Sequence, residues 1–233
     1  MVSFIRVAGK ILEGKFVKRL TRFSALVKVE NKSVVCFLPN PGRLSELLKL
    51  NAKLILREAD NGERKTAYEI IGVYQGCQRV SIDSRFPNKL VLEALKNGDI
   101  AEFSEYNVIK PEHSYGHTRF DFLLGNKQSS CLLEVKSCTL VKEGVAMFPD
   151  AKTERGTRHL LDLLKAKSEG YRACVLFVVQ RADAKIFSPN DETDPKFGKA
   201  LRQASSGGVE VYVYSSKFLG NKIVLGKKIP VKL

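Results

Sequence analysis

The sequence predicts a two-part α/β (α+β) chain, with a β-rich barrel over residues 1–83 and a mixed sheet flanked by helices over 84–233. Three observations point there. In the first 80 residues, short strand-like runs separated by turn residues outnumber helical patterns. Around Ser84 the texture changes, as F-P-N-K-L-V-L-E-A-L-K-N-G sets Leu90, Leu92, Ala94 and Leu95 at helical spacing. Further on, helical segments alternate with A-C-V-L-F-V-V-Q, a near-continuous apolar run typical of a strand buried on both faces.

Taken in order, I-L-E-G-K-F-V-K-R-L and F-S-A-L-V-K-V-E read as strands, and N-K after Glu30 turns the chain into S-V-V-C-F-L-P. The heptapeptide R-L-S-E-L-L-K places Leu44, Leu47 and Leu48 at helical spacing after Pro41 and Gly42, and predicts a short helix. A-K-L-I-L-R-E and T-A-Y-E-I-I-G-V-Y are the next strands, with D-N-G-E at 60–63 as their turn. Three strands, a short helix and two strands is the order of an OB-fold, a five-stranded barrel that often binds oligonucleotides. Lys15, Lys18, Arg19, Arg22 and Lys28 fall on or beside the first hairpin, with Phe16 and Phe23 among them. Cations beside aromatics are what a single-strand platform uses, although most barrel aromatics fill the core. In the loop P-N-P-G-R-L, Asn40, the Gly42 backbone and Arg43 are candidates to hold an anion at a helix start. A proline-glycine turn by itself accounts for Pro41 and Gly42, but not for Arg43.

Beyond the helix closed by Gly98, R-F-D-F-L-L and C-L-L-E-V-K-S flank the break G-N-K-Q-S-S and form a hairpin from Arg119 to Lys136. T-L-V-K-E-G-V-A-M-F-P is a second strand pair, turned at Glu143 and Gly144. A long amphipathic helix then starts at Thr153 and closes at Gly170, with Leu160, Leu163 and Leu164 facing inward. Arg155, Arg158 and His159 lie on its first turns, placed to bind a phosphate or stabilise developing charge; ordinary solvated helix charges are the plainer reading. The buried strand, a helix around 197–204 and the strand V-E-V-Y-V-Y complete a β-α-β unit.

The central hairpin carries the chemistry. Strand side chains alternate faces, so Glu134 and Lys136 share one face and Leu133 and Val135 the other. Pairing through the short loop brings Asp121 towards Glu134. Burying charge is costly unless it is paired or coordinates a metal. Mg²⁺ takes oxygen ligands, commonly one or two carboxylates plus waters and substrate phosphates. Asp121 and Glu134 are the carboxylates, and the Val135 carbonyl is a third candidate ligand. Lys136 is placed to position or help deprotonate a water on that metal. The bland alternative, a Glu-Lys pair on a wet strand face, fits E-x-K taken alone. Asp121 and the apolar runs on both sides weigh against it.

D…E-V-K, carried by Asp121, Glu134 and Lys136, resembles the active-site signature of the PD-(D/E)XK nuclease superfamily. Longer strings are more specific: E-V-K-S-C-T-L, A-M-F-P-D-A-K-T-E-R-G-T-R-H-L and L-F-V-V-Q-R-A-D, with P-N-P-G-R-L and D-P-K-F-G-K-A-L on either side. Together they resemble the sugar fermentation stimulation protein family, SfsA, over nearly the whole chain. The resemblance implies an OB-fold-like domain over 1–83 and a restriction-endonuclease-like domain over 84–233. It also implies Mg²⁺ or Mn²⁺ as cofactor, DNA or RNA as partner, and a first-helix carboxylate, Glu93, assisting the metal. Many nucleases of this fold act as dimers, which extends the expectation to a homodimer. Many relatives carry a histidine shortly before the Pro-Asn, where this chain has Cys36, Phe37 and Leu38.

Bulk properties narrow the function classes. With 44% hydrophobic residues in 233 the chain can build real cores. No apolar run is long enough for a bilayer, and the first residues lack the apolar length of a secretory signal. Five cysteines without a C-x-x-C pair argue against a disulfide framework or structural zinc and for the cytoplasm. The net charge of +14 is concentrated early: residues 1–80 hold 15 Lys and Arg against 7 Asp and Glu, the remainder 24 against 18. Such charge attracts polyanions. Two functions of different class stand: a metal-dependent phosphodiesterase acting on DNA or RNA, and, as the family resemblance implies, a non-enzymatic DNA-binding regulator of sugar-utilisation (maltose-type) genes on a nuclease scaffold. The lack of a helix-turn-helix pattern and the retention of two carboxylates, which repel a polyanion without a metal, favour the first. Direct sugar binding finds no Trp to serve as a platform.

Overall fold

The computed structural model describes residues 2–59 and 66–233, and the turn expected at 60–63 lies outside them. After a short strand β1 (Phe4–Arg6), the barrel runs through β2 (Ile11–Thr21), β3 (Ser24–Val29), β4 (Lys32–Phe37), β5 (Lys53–Glu58) and β6 (Tyr68–Gln75), with β7 (Gln78–Ser81) added at its edge. The order β4-β3-β2-β5-β6-β7 is antiparallel throughout, and a parallel contact between Phe37 and Glu69 closes β4 onto β6. Inward positions alternate as the pleat requires: Phe16, Ala25, Val27, Cys36, Leu54 and Leu56 fill the barrel. Phe16 is therefore core, while Phe23 stays 46% exposed.

The helix expected from R-L-S-E-L-L-K is a single turn. Leu48 N–H donates to the Leu44 carbonyl at 2.8 Å, and Leu44 itself has φ of 53°. A residue in the left-handed region does not start an α-helix, and so short a segment nucleates poorly. The leucine spacing still does its work, since Leu44, Leu47 and Leu48 are all buried in the barrel core.

The second unit has α1 (Phe86–Asn97), β8 (Val108–Tyr115), β9 (Thr118–Gly125), β10 (Ser130–Cys138), β11 (Val141–Lys142), β12 (Val145–Phe148), α2 (Glu154–Ser168), β13 (Arg172–Val179), β14 (Ile186–Pro189), α3 (Pro195–Ser206), β15 (Glu210–Leu219) and β16 (Lys222–Lys228). Its main sheet has the order β1-β16-β15-β13-β10-β9-β8, so residues 4–6, at the start of the chain, complete this sheet and not the barrel. The centre, β10-β13-β15, is parallel. On β13, Cys174, Leu176 and Val178 pack in the cluster that contains α1, whereas Ala173, Val175, Phe177 and Val179 pack in the cluster with α2 and α3. Helices on both faces explain why this strand reads as one apolar run. Thr153 caps α2 by accepting from Gly156 N–H at 3.0 Å, and Asp194 caps α3 by accepting from Phe197 N–H at 3.1 Å. Among the described residues, no helix is long and apolar enough to cross a membrane.

Candidate active site

Strand pairing positions the acidic centre. The β9–β10 ladder ends with Leu133 opposite Phe122, so Val135, two residues on, has no β9 partner. Asp121 fills that gap: its Oδ2 accepts the Val135 N–H at 2.7 Å, and its Oδ1 accepts from Asn88 Nδ2 on α1 at 2.5 Å. Glu134 is 4% exposed. Its Oε1 accepts from Lys136 Nζ and lies 2.6 Å from His159 Nδ1. Its Oε2 is buried without a hydrogen-bond partner. The three residues of the expected centre thus meet in one place.

His159 is 2% exposed, which rules out the direct phosphate contact expected of it. It contacts Glu134 and Arg155 instead. Arg155 Nε donates to His159 Nε2 at 3.2 Å, and Arg has no acceptor to offer. The imidazole proton is therefore left on Nδ1, pointing at Glu134. Second-layer contacts of this kind commonly contribute tenfold to a hundredfold. Arg155→Met is accordingly expected to lower any metal-dependent activity by about that factor while leaving the melting temperature close to wild type, as a thermal scan beside a rate assay would show.

Electrostatics separate the two carboxylates. Burial, and next the Glu134 charge, push the Asp121 carboxyl up to about 6, against the Val135 N–H, Lys136 and Asn88. Burial also works to raise Glu134, but the Lys136 charge and the His159 contact outweigh it and hold Glu134 below the usual range. A buried Glu134 with one acceptor unmatched, beside a half-buried Asp121, leaves an excess of negative potential, which a cation relieves. Among the described residues, no three of His, Cys, Asp and Glu cluster as a metal cage. Two carboxylates and a backbone carbonyl suit an ion such as Mg²⁺, which keeps several waters.

The centre opens into a cavity of about 350 Å³ between the two units. Arg22, Asn40, Pro41, Gly42 and Ser84 line one wall, and Asp150, Lys152, Thr153 and Arg155 the other. Here the loop P-N-P-G-R-L departs from expectation. Its anion position is taken by the chain itself: Asp150 Oδ2 accepts the Leu44 N–H at 3.1 Å. Gly42 is needed for this approach, since a Cβ there would collide with the Asp150 carboxylate. Asn40 is 6% exposed and spends its amide internally, donating to the Ile82 carbonyl at 2.8 Å and accepting from Gly42 N–H at 2.8 Å. Arg19 does not face outward either. Its guanidinium donates to the carbonyls of Gly42, Arg43 at 3.0 Å, Arg22 at 2.6 Å and Asn40 at 2.9 Å. These residues build the wall. Gly42→Ala is expected to cost about 1–3 kcal/mol by overpacking, and a double-mutant cycle with Asp150→Ala in urea unfolding should recover much of it.

Arg22, Lys18 and Arg43 remain exposed and available to a polyanion, with Arg22 on the cavity wall. Glu93 is placed elsewhere: it pairs with Lys96 at 3.1 Å and does not line the cavity. Asn88, one and a half turns earlier on α1, is the residue that reaches Asp121. Arg158 is exposed and also lies off the cavity wall. Sequence reasoning missed Asn88 and Asp150. Asn88 had a signal, its place at the start of the first helix, but its facing was not readable. Asp150, inside P-D-A-K-T, had none without the fold.

Comparison with known proteins agrees with this architecture. Residues 17–82 match the family model described as the SfsA N-terminal OB domain, and residues 85–222 that of the sugar fermentation stimulation protein RE domain. A sugar fermentation stimulation protein homolog of Caldanaerobacter subterraneus subsp. tengcongensis is 44% identical over 227 residues, covering 97% of this chain and 99% of the relative. One from Clostridium kluyveri is 46% identical over 224 residues, covering 96% and 97%. The solved structure of Pyrococcus furiosus SfsA in complex with Ca²⁺ superposes with a TM-score of 0.90 at 25% identity, covering 98% of this chain and all of the other. With both units matched in order and relatives this similar along nearly their whole length, the chain belongs to the sugar fermentation stimulation protein family, SfsA.

Proposed function

We propose that this protein is a metal-dependent phosphodiesterase that hydrolyses nucleic acid in the cavity between its two units. The observation that carries the reading is the buried, unpartnered Oε2 of Glu134, a residue that lines the same cavity as Asp121 and Lys136. A pure binder of polyanions gains nothing from two carboxylates at its phosphate contact. Asp121, Glu134 and the Val135 carbonyl would hold Mg²⁺ or Mn²⁺. Bound there, such an ion lowers the pKa of water and polarises a phosphoryl oxygen. The Ca²⁺ named for the Pyrococcus relative fits a site of hard oxygen ligands.

The chain's own groups divide the remaining work. Asp121 is fixed from both sides by the Val135 N–H and Asn88. Glu134 is held ionised by Lys136 and oriented by His159. Lys136, whose side chain is 12% exposed, is the group at the cavity able to steer a water or hold a proton beside the phosphate. Arg22, Lys152 and Arg155 give the walls the positive charge that a phosphate backbone needs. The test is cleavage of labelled DNA and RNA with Mg²⁺, Mn²⁺ or EDTA, with binding read by gel shift on the same samples. Cutting with metal and none with EDTA is expected. Salt-sensitive binding without cutting in any arm would instead favour the second reading, a non-enzymatic DNA-binding regulator of sugar-utilisation genes.

A further inference from the structure

The barrel has an outward face that the catalytic centre does not use. Strand register sets its composition. Lys15 on β2 lies opposite Lys28 on β3, which lies opposite Ser33 on β4. One row on, Lys18 lies opposite Leu26, and Leu26 opposite Val35. The intervening residues Phe16, Val27, Ala25 and Cys36 point inward. The outer face is therefore a row of lysines beside apolar side chains, with Val35 left 45% exposed. At the end of this face, the β2–β3 turn presents Phe23, 46% exposed, with the Arg22 guanidinium 5.7 Å from its ring centre. Arg22 itself lines the catalytic cavity. The turn at the end of this face thus carries both the exposed Phe23 and the Arg22 that lines the site.

The size of the cavity decides which nucleic acid can follow that path. Its volume of about 350 Å³ sits at the lower end of the roughly 300–1,000 Å³ of ligand pockets, enough for one nucleotide. The Leu44–Asp150 contact joins the barrel loop to the segment before α2, so the two walls are tied together. Joined walls around a space of this size suit one nucleotide and disfavour a duplex. In barrels of this kind the second and third strands, with the loop joining the first and second, are the surface that takes oligonucleotides. Here those are β3, β4 and the Arg22–Phe23 turn.

We propose that this face is a single-strand track feeding the cavity. One strand of nucleic acid lies with its phosphates on Lys15, Lys18 and Lys28 and stacks a base on Phe23. It passes Arg22 and delivers a single nucleotide to Asp121 and Glu134. Delivery for cleavage rests on the nuclease reading, whereas the track itself does not. Stacking on an exposed aromatic tolerates any base, so the track selects single strands over duplexes without reading sequence.

The test is fluorescence anisotropy in EDTA with short labelled single-stranded DNA, single-stranded RNA and blunt duplex. Wild type should hold one or both single strands at least about tenfold tighter than duplex. Phe23→Ala, at an exposed position that should not disturb folding, is expected to weaken single-strand binding about tenfold. Lys18→Ala with Lys28→Ala should flatten the dependence of log affinity on log salt by about 1.4, the release expected for two single-strand phosphates. Lys165→Ala on α2, a side chain 69% exposed, should change the slope far less. Duplex binding as tight as single-strand binding, or wild-type binding by both barrel variants, would overturn the track. Metal-dependent cutting of the same oligonucleotides is scored separately. Absence of cutting with single-strand binding intact sinks the nuclease and leaves the track. Equal cutting of duplex, untouched by Phe23→Ala, does the reverse.

Discussion

Asp121→Asn is expected to lower metal-dependent cleavage about a thousandfold while making the metal-free protein more stable at pH 7. The first effect follows from losing a proposed metal ligand, since an ion held there would supply several kcal/mol to the transition state. The second follows from linkage. The folded carboxyl is pushed up to about 6 from an ordinary 3.8, so the native state binds this proton more tightly than the unfolded chain. Stability is therefore lost as pH rises between those values, and the full cost, about 2–3 kcal/mol, is present at neutral pH. Asparagine carries no charge. It can still accept the Val135 N–H, and Asn88 can turn its amide to accept in place of donating. The variant should melt about 5 °C or more above wild type at pH 7, and the difference should vanish below about pH 4. Added Mn²⁺ should raise the melting temperature of wild type and not of the variant. A variant that cuts normally sinks the assignment of Asp121. One that cuts poorly but gains no stability sinks the account of its burial.

Lys136→Ala is expected to act in the opposite sense on stability and the same sense on rate. The lysine holds Glu134 Oε1, and the Glu134 side chain is only 5% exposed. Removing the ammonium leaves a buried carboxylate with His159 as its remaining contact. Such deletions cost about 3–5 kcal/mol. In wild type Glu134 is held below its ordinary 4.5, so its contribution to stability is present above that pH and lost in acid. Without Lys136 the burial effect dominates and the carboxyl rises. The deficit of the variant should then be largest near pH 7 and shrink in acid, which urea unfolding across pH would read directly. Cleavage should fall about a hundredfold to a thousandfold, the range for a group that moves or holds a proton. Gel shift should show nucleic acid still bound, because the barrel cations are untouched. Full activity in a well-folded variant would remove Lys136 from the chemistry.

Much of this site could be read from the residues. Alternation along one strand placed Glu134 and Lys136 on a common face, and the preceding strand brought Asp121 within reach, because β-strand geometry is nearly invariant. The amphipathic helix from Thr153 and the doubly buried strand were legible for the same reason. Where the backbone left regular geometry, reading failed. Leu44 takes a left-handed conformation that no periodicity announces. The expected helix therefore became one turn, although its leucines went to the core.

The sequence alone determined the two units, their order, the grouping of Asp121, Glu134 and Lys136 and the excess of positive charge in the barrel. Each of these is a property of local pattern or composition. Only the tertiary structure decided which polar groups are free. Arg19, Asn40 and Gly42 looked like ligands for an anion, and the fold uses all three to build a loop against Asp150, a residue more than 100 positions away. It also replaced Glu93 by Asn88 at Asp121 and turned His159 from a surface contact into the buried partner of Glu134. A hydrogen-bonding side chain carries the same donors and acceptors wherever it sits. Whether they meet a ligand or the protein's own backbone depends on neighbours that are distant in sequence, and burial makes that choice binding, because an unmatched polar group is too costly to leave.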